Sequence, residues 1–365
     1  MGFKMGIIGL PNVGKSTLFN ALTRTAAAQA ANFPFCTIDP NVGEVSVPDS
    51  RLNRIAEIAK SAKIIPTHMT FVDIAGLVKG ASDGEGLGNQ FLANIREVDA
   101  IAHVVRSFDA DDITHVEGRI DAVEDAKTVE LELILADLES VERRLQGLSR
   151  KVRGGDREAI QQDRLLRLAQ TALEDGHAAR TVAVNDNDQN IWIRLGLLSA
   201  KPTLYVINVN EDDCVHGNVH SNAIAEMARS QGNQFVLISA RIEEEIARLD
   251  RPEADFFITE LGLTEPGLNR LIRAGYDLLN LQTFFTAGPK EARAWTIRHG
   301  TYAPKAAGVI HTDFETGFIR AETISYEDYI ALGGELPARE AGKLRTEGKS
   351  YIVQDGDILH FLFNT

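Results

Sequence analysis

The stretch Gly9-Leu10-Pro11-Asn12-Val13-Gly14-Lys15-Ser16 has the residue types and spacing of a phosphate-binding loop, G-x-x-x-x-G-K-[ST]. The chemistry it serves is the grip on a triphosphate chain. Glycines let backbone N–H groups turn inward on the phosphates, and a helix N-terminus behind them adds partial positive charge. Lys15 is spaced to reach the β- and γ-phosphates and to stabilise charge during transfer, and the Ser16 hydroxyl to hold Mg²⁺. Asn12, Val13, Gly14 and Thr17 complete the candidate cradle. A second chemical group follows at Thr70-Phe71-Val72-Asp73-Ile74-Ala75-Gly76, an apolar run ending in D-x-x-G. Asp73 there suits a carboxylate that holds Mg²⁺ through water, and the Gly76 N–H suits a γ-phosphate. Leu77 stands next, where many nucleotide hydrolases place a water-orienting Gln; leucine has neither donor nor acceptor.

These groups require a strand before the loop and a helix after it. Residues 3–8 are short and apolar, as a buried strand is, and residues 17–22 suit a helix. Thr37 lies on a Pro-broken loop between that helix and a strand at 43–47. It reads either as a turn threonine or as a second Mg²⁺ ligand. Four glycines between Lys79 and Gln90 suggest a segment that orders around a ligand, or a plain surface loop. His103 lies within the apolar strand 101–105 and reads as a core histidine. His115 lies in a polar stretch beyond that strand, where it is either a surface histidine or a group able to swing toward a phosphate.

Two later strands end in turns that suit a purine ring. Residues 203–208 run into Asn208-Val209-Asn210-Glu211, and residues 235–238 into Ser239-Ala240. A guanine site uses N-K-x-D at the first turn, its Asp taking the N1–H and N2–H₂ donors. Here Val replaces the Lys and the longer Glu211 replaces the Asp. Displacing that carboxylate costs roughly 1.5–3 kcal/mol, more than tenfold in affinity. Asn210 can instead match the N6 donor and N7 acceptor of adenine. The turn therefore predicts a preference leaning to ATP, with a backbone shift that returns Glu211 to guanine as the alternative.

The rest of the chain sets the frame. Its 365 residues suffice for two or three domains. A net charge of −14 excludes generic binding to polyanions and leaves only local basic patches for nucleic acid; DNA is not an expected partner. Cys36 and Cys214 give neither a disulfide framework nor metal-ligand spacing. No apolar run suits a bilayer and the start lacks a signal-type pattern, so a cytoplasmic protein without membrane contact is expected. Apolar residues Leu131, Ile134, Leu138, Val141, Leu145, Leu148 and Val152 repeat at spacings of three and four, the seam of a coiled coil. Gly154-Gly155 breaks it, and a second helical run follows. Arg150, Lys151, Arg153 and Arg157 surround that break, either as a solvated helix end or as a surface for rRNA or an acidic partner. From Gln282 onward short strands and turns suggest a small α+β module, with Arg339, Lys343, Arg345 and Lys349 as a modest basic stretch.

Taken together, Gly9 to Ser16, Asn32 to Thr37, Asp73 to Gln90, the Asn208–Glu211 turn and Leu281 to Phe363 make the sequence resemble the Obg-like ATPase family of the YchF type, in the Obg branch of P-loop GTPases. The resemblance implies an α/β P-loop fold with a mixed sheet, a helical coiled-coil hairpin inserted at 126–200, and a C-terminal β-grasp (TGS) domain over 282–365; the nucleotide domain would span 1–281. It implies slow ATP hydrolysis with GTP tolerated, Mg²⁺, ribosome association, and a role in regulating translation or stress responses. It places the hydrolytic histidine at His115, strengthens Thr37 as a metal ligand, and marks Asn12 as the place where some related loops bind K⁺. A GTP-specific hydrolase and a non-hydrolysing, nucleotide-stabilised RNA- or ribosome-binding module are the competing expectations.

Overall fold

A computed structural model describes residues 3–30, 41–74, 87–108 and 121–364; for residues 26–30, 87 and 89 it describes the backbone alone. Thr37, Gly76 and His115 therefore lie outside the described residues. The chain divides into two compact units, Met1–Val45 with Thr70–Ala274, and Ser46–Met69 with Gly275–Thr365. The second unit takes in residues 46–69, which the sequence alone assigns to the nucleotide domain.

Twelve strands occur among the described residues: β1 Lys4–Ile8, β2 Val42–Ser46, β3 Ile64–Ile65, β4 His68–Asp73, β5 Ala100–Arg106, β6 Thr203–Asn208, β7 Gln234–Ile238, β8 Leu281–Ala287, β9 Ala292–Arg298, β10 Phe318–Ile324, β11 Arg345–Glu347 and β12 Ile358–Phe363. The first sheet has the order β2-β4-β1-β5-β6-β7. Its inner pairs β1–β4, β1–β5, β5–β6 and β6–β7 are parallel. A parallel sheet is covered on both faces, which is why these strands read as continuous apolar runs. Every residue of β5 and of β6 is buried. Parallel strands also align their C-terminal ends. Ile8, Asp73, Arg106, Asn208 and Ile238 thus come to one edge, the place where α/β sheets bind ligands.

Helices α1 (Lys15–Ala30), α2 (Ser50–Ala59) and α3 (Leu87–Arg96) precede the long hairpin helices α4 (Ala122–Arg153) and α5 (Arg157–Glu174). Asp121 caps α4 by accepting from Glu124 N, and Asp156 caps α5 by accepting from Ala159 N. Gly155 turns the corner at φ +78°. The seam is largely as the spacing predicts: Ile134 and Val141 are buried against Leu165, Leu166, Ala169 and Leu173, with Leu138, Leu145 and Leu148 alongside. Leu131 and Leu168 lie off the seam, 51% and 42% exposed. A further short helix, α6 (Gln189–Leu195), adds Ile191, Trp192 and Leu195 to the same cluster. The hairpin is longer than its apolar seam suggests, since α4 starts at Ala122, and its root belongs to the core under β6 through Ala122 and Ala126. Asp137 fixes the return path. It is 1% exposed and accepts from Leu198 N, Ser199 N and Ser199 Oγ at 2.7–2.8 Å.

Helices α7 (Val219–Ser230), α8 (Ala240–Ile246) and α9 (Arg251–Glu260) belong to the first unit, and α10 (Gly267–Leu278) begins in it and ends in the second. The buried Glu243 carboxylate on α8 accepts from Gly267 N and Leu268 N at 2.7 and 3.1 Å, capping α10 across sequence. None of the helices among the described residues is long and apolar enough to cross a membrane.

The second unit is a mixed sheet of order β11-β10-β12-β8-β9-β3. Strands β8 and β9 form an antiparallel hairpin, β12 runs parallel to β8, and β10 runs antiparallel to β12. Helix α2 packs Leu52, Ile55 and Ala56 onto Phe285, Ala294 and Ile358 of that sheet. Arg51 pins the helix start through Asp355 at 2.6 Å and Asp49 at 2.8 Å. In the C-terminal basic stretch, Arg339 pairs with Glu322 and Glu335, Lys343 with Asp328, and Arg345 with Glu347 and Asp357. Those charges are mostly neutralised locally, which favours the reading of an ordinary charged surface.

Replacing Asp137 by Ala leaves three buried donors without an acceptor. Unfolding in urea should show a loss of about 3 kcal/mol, in the range for breaking a buried hydrogen-bond network.

Candidate functional site

The loop between β1 and α1 has a backbone that side chains would obstruct. Gly9 adopts φ +151°, and a Cβ there would stand 2.4 Å from the Val104 carbonyl oxygen. Gly14 adopts φ +96°, and a Cβ there would stand 2.3 Å from the Asn208 amide nitrogen. Asn12 is left-handed at φ +62°, a conformation asparagine tolerates better than most residues. Both glycines of the motif therefore have local steric causes: one lets the loop pass β5, the other lets Asn208 reach in.

Asn208 is 4% exposed and uses both ends of its amide. Its Nδ2 donates to the Val13 carbonyl at 2.9 Å, and its Oδ1 accepts from Ala240 N at 3.0 Å. The sequence reading counts Asn208 among the groups that touch the base. The structure adds a second role: the amide braces the phosphate loop against the start of α8, and one Nδ2 hydrogen remains beyond the bond to Val13. Val209 is buried at 3% exposure in the core with Tyr205 and Ile207, so its side chain faces inward. Asn210 and Glu211 are exposed and begin a short 3₁₀ turn, Glu211–Asp213. Ser239 is buried and precedes α8, whose first residue is Ala240. Helices α1 and α8 both start at this edge and are tied by Arg24 and Glu244 at 3.3 Å. Ser107 N donates to Asn208 O at 2.8 Å, and Asn218 Nδ2 donates to Ser107 O and Asp213 Oδ2, each at 2.7 Å. The end of β5 is thus fastened to the turn that carries Asn210 and Glu211.

Lys15 and Asp73 supply the charge. Lys15 is 8% exposed, and its Nζ donates to the Leu10 carbonyl at 2.6 Å. Burial pushes its pKa down to about 8, while Asp73 pulls the other way. Asp73 is displaced upward by burial, against the pull of Lys15. Its Oδ1 is buried with no hydrogen-bond partner among the described residues. An oxygen without a partner at the end of β4, with the exposed Ser16 hydroxyl at the start of α1, is a hard-donor pair. It fits Mg²⁺, which keeps waters and takes few protein ligands. No cluster of three His, Cys, Asp or Glu side chains suited to a metal occurs among the described residues. Nothing here fits a soft transition metal.

His103 is 4% exposed, 5.4 Å from the Tyr205 ring, and burial pushes its pKa down to about 3. It is the neutral core histidine its strand predicts. Of the sequence-derived candidates, Asn12, Val13, Gly14, Lys15, Ser16, Thr17, Asp73, Asn208, Val209, Asn210, Glu211, Ser239 and Ala240 gather at the C-terminal edge of the first sheet.

Residues 4–137 match the family described as "50S ribosome-binding GTPase". Residues 281–364 match the YchF GTPase C-terminal family, described as "Protein of unknown function (DUF933)". The chain is 57% identical over 364 residues to the ribosome-binding ATPase YchF of Haemophilus influenzae, with all of both chains covered. It is 52% identical over 366 residues to the ribosome-binding ATPase YchF of Bacillus subtilis, again over the full length of both. The solved YchF GTPase of Schizosaccharomyces pombe superposes with a TM-score of 0.89 at 40% identity, covering 99% of this chain and 98% of that one.

Asn208→Ala orphans the Val13 carbonyl and the Ala240 N–H, each worth about 1–3 kcal/mol when buried unpaired. Equilibrium titration with Mg²⁺·nucleotide should show at least about tenfold weaker binding. Lys15 gives a pH signature. Its folded pKa lies below its unfolded value, so its contribution to stability rises with pH between about 8 and 10.5. A bound phosphate chain favours the charged ammonium, so binding takes up a proton and affinity falls as pH climbs through 8. Calorimetry at pH 8.5 in buffers of different ionisation enthalpy should detect that uptake in the wild type and lose it in Lys15→Met.

Proposed function

This chain belongs to the YchF family of P-loop nucleotide hydrolases, and from that premise we propose that it is a ribosome-associated nucleotide switch that binds and slowly hydrolyses ATP, tolerating GTP. The observation that carries the reading is a buried Lys15 together with an Asp73 oxygen that has no hydrogen-bond partner among the described residues, beside a braced phosphate loop. Such a site holds a phosphate chain with its metal, and has charge to spend on a transferring phosphoryl group.

The roles follow from chemistry and position. Backbone N–H groups of residues 12–17 and the N-terminus of α1 hold the phosphates. Lys15 neutralises charge on the β- and γ-oxygens as water adds to the γ-phosphorus and the bond to the β-bridging oxygen breaks. Ser16, Thr37 and Asp73 are the proposed holders of Mg²⁺, which when bound offsets phosphate charge. Gly76 is the proposed γ-phosphate donor, and Asn12 the proposed neighbour of K⁺. Leu77 cannot orient water, and the family resemblance assigns that task to His115, the proposed water-positioning group.

For the base, the proposed contacts are the remaining Nδ2 hydrogen of Asn208, the exposed Asn210 and Glu211 of that turn, and Ser239 and Ala240 at the start of α8. An ATP preference follows from the absence of a guanine-directed Lys and Asp. The second reading, a GTP-preferring enzyme, has in its favour that the fission-yeast relative is called a GTPase. Ribosome binding is what the bacterial relatives are named for. The cytoplasm, where ribosomes work, is the proposed compartment, and regulation of translation or stress responses the proposed role.

Single-turnover hydrolysis with ATP and with GTP tests both halves. ATP should be turned over at least as efficiently as GTP, and His115→Ala should slow the chemical step by about 10²-fold or more, as loss of a water-positioning group does. A strong GTP preference overturns the reading of the base turn. Equal rates for wild type and His115→Ala remove the histidine from the mechanism.

A further inference from the structure

The far end of the α4–α5 hairpin carries charge that the fold itself does not use. Between Arg143 and Arg167 stand eight Arg or Lys residues against Asp156, Glu158 and Asp163, in a chain whose net charge is −14. Arg143, Arg164 and Arg167 pair with Glu139, Asp188 and Asp163. Arg150, Lys151, Arg153 and Arg157 are exposed and form no ion pair with any described residue; nor does Arg194 on α6. Helix electrostatics accounts for only part of this. Arg150, Lys151 and Arg153 occupy the last turn of α4, where cations are favoured. Arg157 is the first residue of α5, where a cation is disfavoured. A partner that supplies negative charge explains all of them at once.

Beside this tip, α4, α5 and α6 leave a cleft of about 410 Å³. Leu148, Leu166, Ile191 and Leu195 give it apolar walls, and Arg144, Gln162 and Arg194 contribute polar lining. Arg144 is held in place by a hydrogen bond to the Leu195 carbonyl at 2.5 Å. Gly147 lines the cleft from the middle of α4, and a Cβ there would meet nothing within 4 Å. Glycine in a helix interior is unfavourable and nothing in the packing asks for it.

We propose that the distal end of the hairpin is an RNA-binding surface, with the basic tip on the phosphate backbone and the Gly147 cleft taking an unpaired base. This rests on the ribosome-associated reading and names the surface and chemistry through which it acts. Arginine predominates among the unpaired cations, and its planar fork suits phosphate oxygens. A cleft with leucine and isoleucine walls and two arginines in its lining suits a base that has left its stack, the feature by which proteins tell irregular RNA from regular duplex. An acidic protein segment would use the charge but not the stacking that a guanidinium group offers a planar base.

The test uses the full-length protein and two labelled RNA stem-loops, identical except for one bulged nucleotide. Wild type should bind both with an affinity that falls with KCl on a log–log slope of about −2 to −4, and should prefer the bulged one. The triple variant Arg150→Glu, Lys151→Glu, Arg157→Glu should bind both at least about tenfold more weakly, with a flatter slope. Gly147→Leu should keep the slope, lose the preference for the bulge and raise the melting temperature. ATP hydrolysis without RNA should be unchanged in both variants. Unaltered RNA affinity in the triple variant overturns the proposal, as does displacement of RNA from the wild type by a polyglutamate peptide at similar charge concentration. Co-sedimentation with ribosomes separates the two levels. A wild type that does not sediment with ribosomes overturns the parent reading, while a triple variant that sediments as well as wild type overturns the hairpin alone.

Discussion

One buried amide governs the nucleotide edge of this molecule. Asn208 holds the phosphate loop through Val13 and the start of α8 through Ala240, and its own carbonyl anchors the end of β5 through Ser107. Three chain segments distant in sequence are thereby fixed within hydrogen-bond tolerance of one residue. Gly14 is a glycine because this amide occupies the space a Cβ would need. The loop geometry, the placement of α1 and α8, and the orientation of the turn at Asn210 all inherit their precision from that contact. The phosphate loop and the Asn208–Glu211 turn are accordingly not independent modules, because they share a brace.

Much of this was legible in residue order. Motif spacing specifies the loop, since only glycines permit its backbone and only a Lys-Ser pair opens the helix behind it. Parallel strands β5 and β6 read as uninterrupted apolar runs because both of their faces are covered. The hairpin seam is visible in the three-and-four spacing of Ile134, Leu138, Val141 and Leu145. Contacts that depend on tertiary closure were not legible. Asn208 looks like a base-contacting residue from its neighbours in sequence, and only the approach of Val13 and Ala240 reveals its bracing role. Asp137 and Glu243 resemble ordinary helix-surface carboxylates until the chain returns to present N–H groups to them. Likewise, the basic stretch from Arg339 to Lys349 is neutralised by Glu322, Asp328 and Asp357, partners that lie on other elements.

Charge is used in two different ways. At the phosphate loop a lysine is buried and its ammonium is made costly, on the order of 3 kcal/mol for a fall from 10.5 to about 8. A phosphate ligand that pairs with the ammonium offsets part of that cost of burying it. At the hairpin tip the cations are solvated and unpaired, and their attraction to a partner is screened by salt. The first arrangement gives strength at short range, the second gives reach.

The path of residues 46–69 bears on evolution and engineering. The chain leaves the first sheet after β2, supplies α2 and β3 to the second unit, and re-enters the first sheet at β4. No single cut in the backbone therefore yields two intact halves. A version ending near residue 280 would strand the apolar face of Leu52, Ile55 and Ala56 in water, inviting aggregation. Because of this path, an exchange of the C-terminal stretch by itself would separate the second sheet from the helix that covers it, so residues 46–69 have to match the sheet they serve.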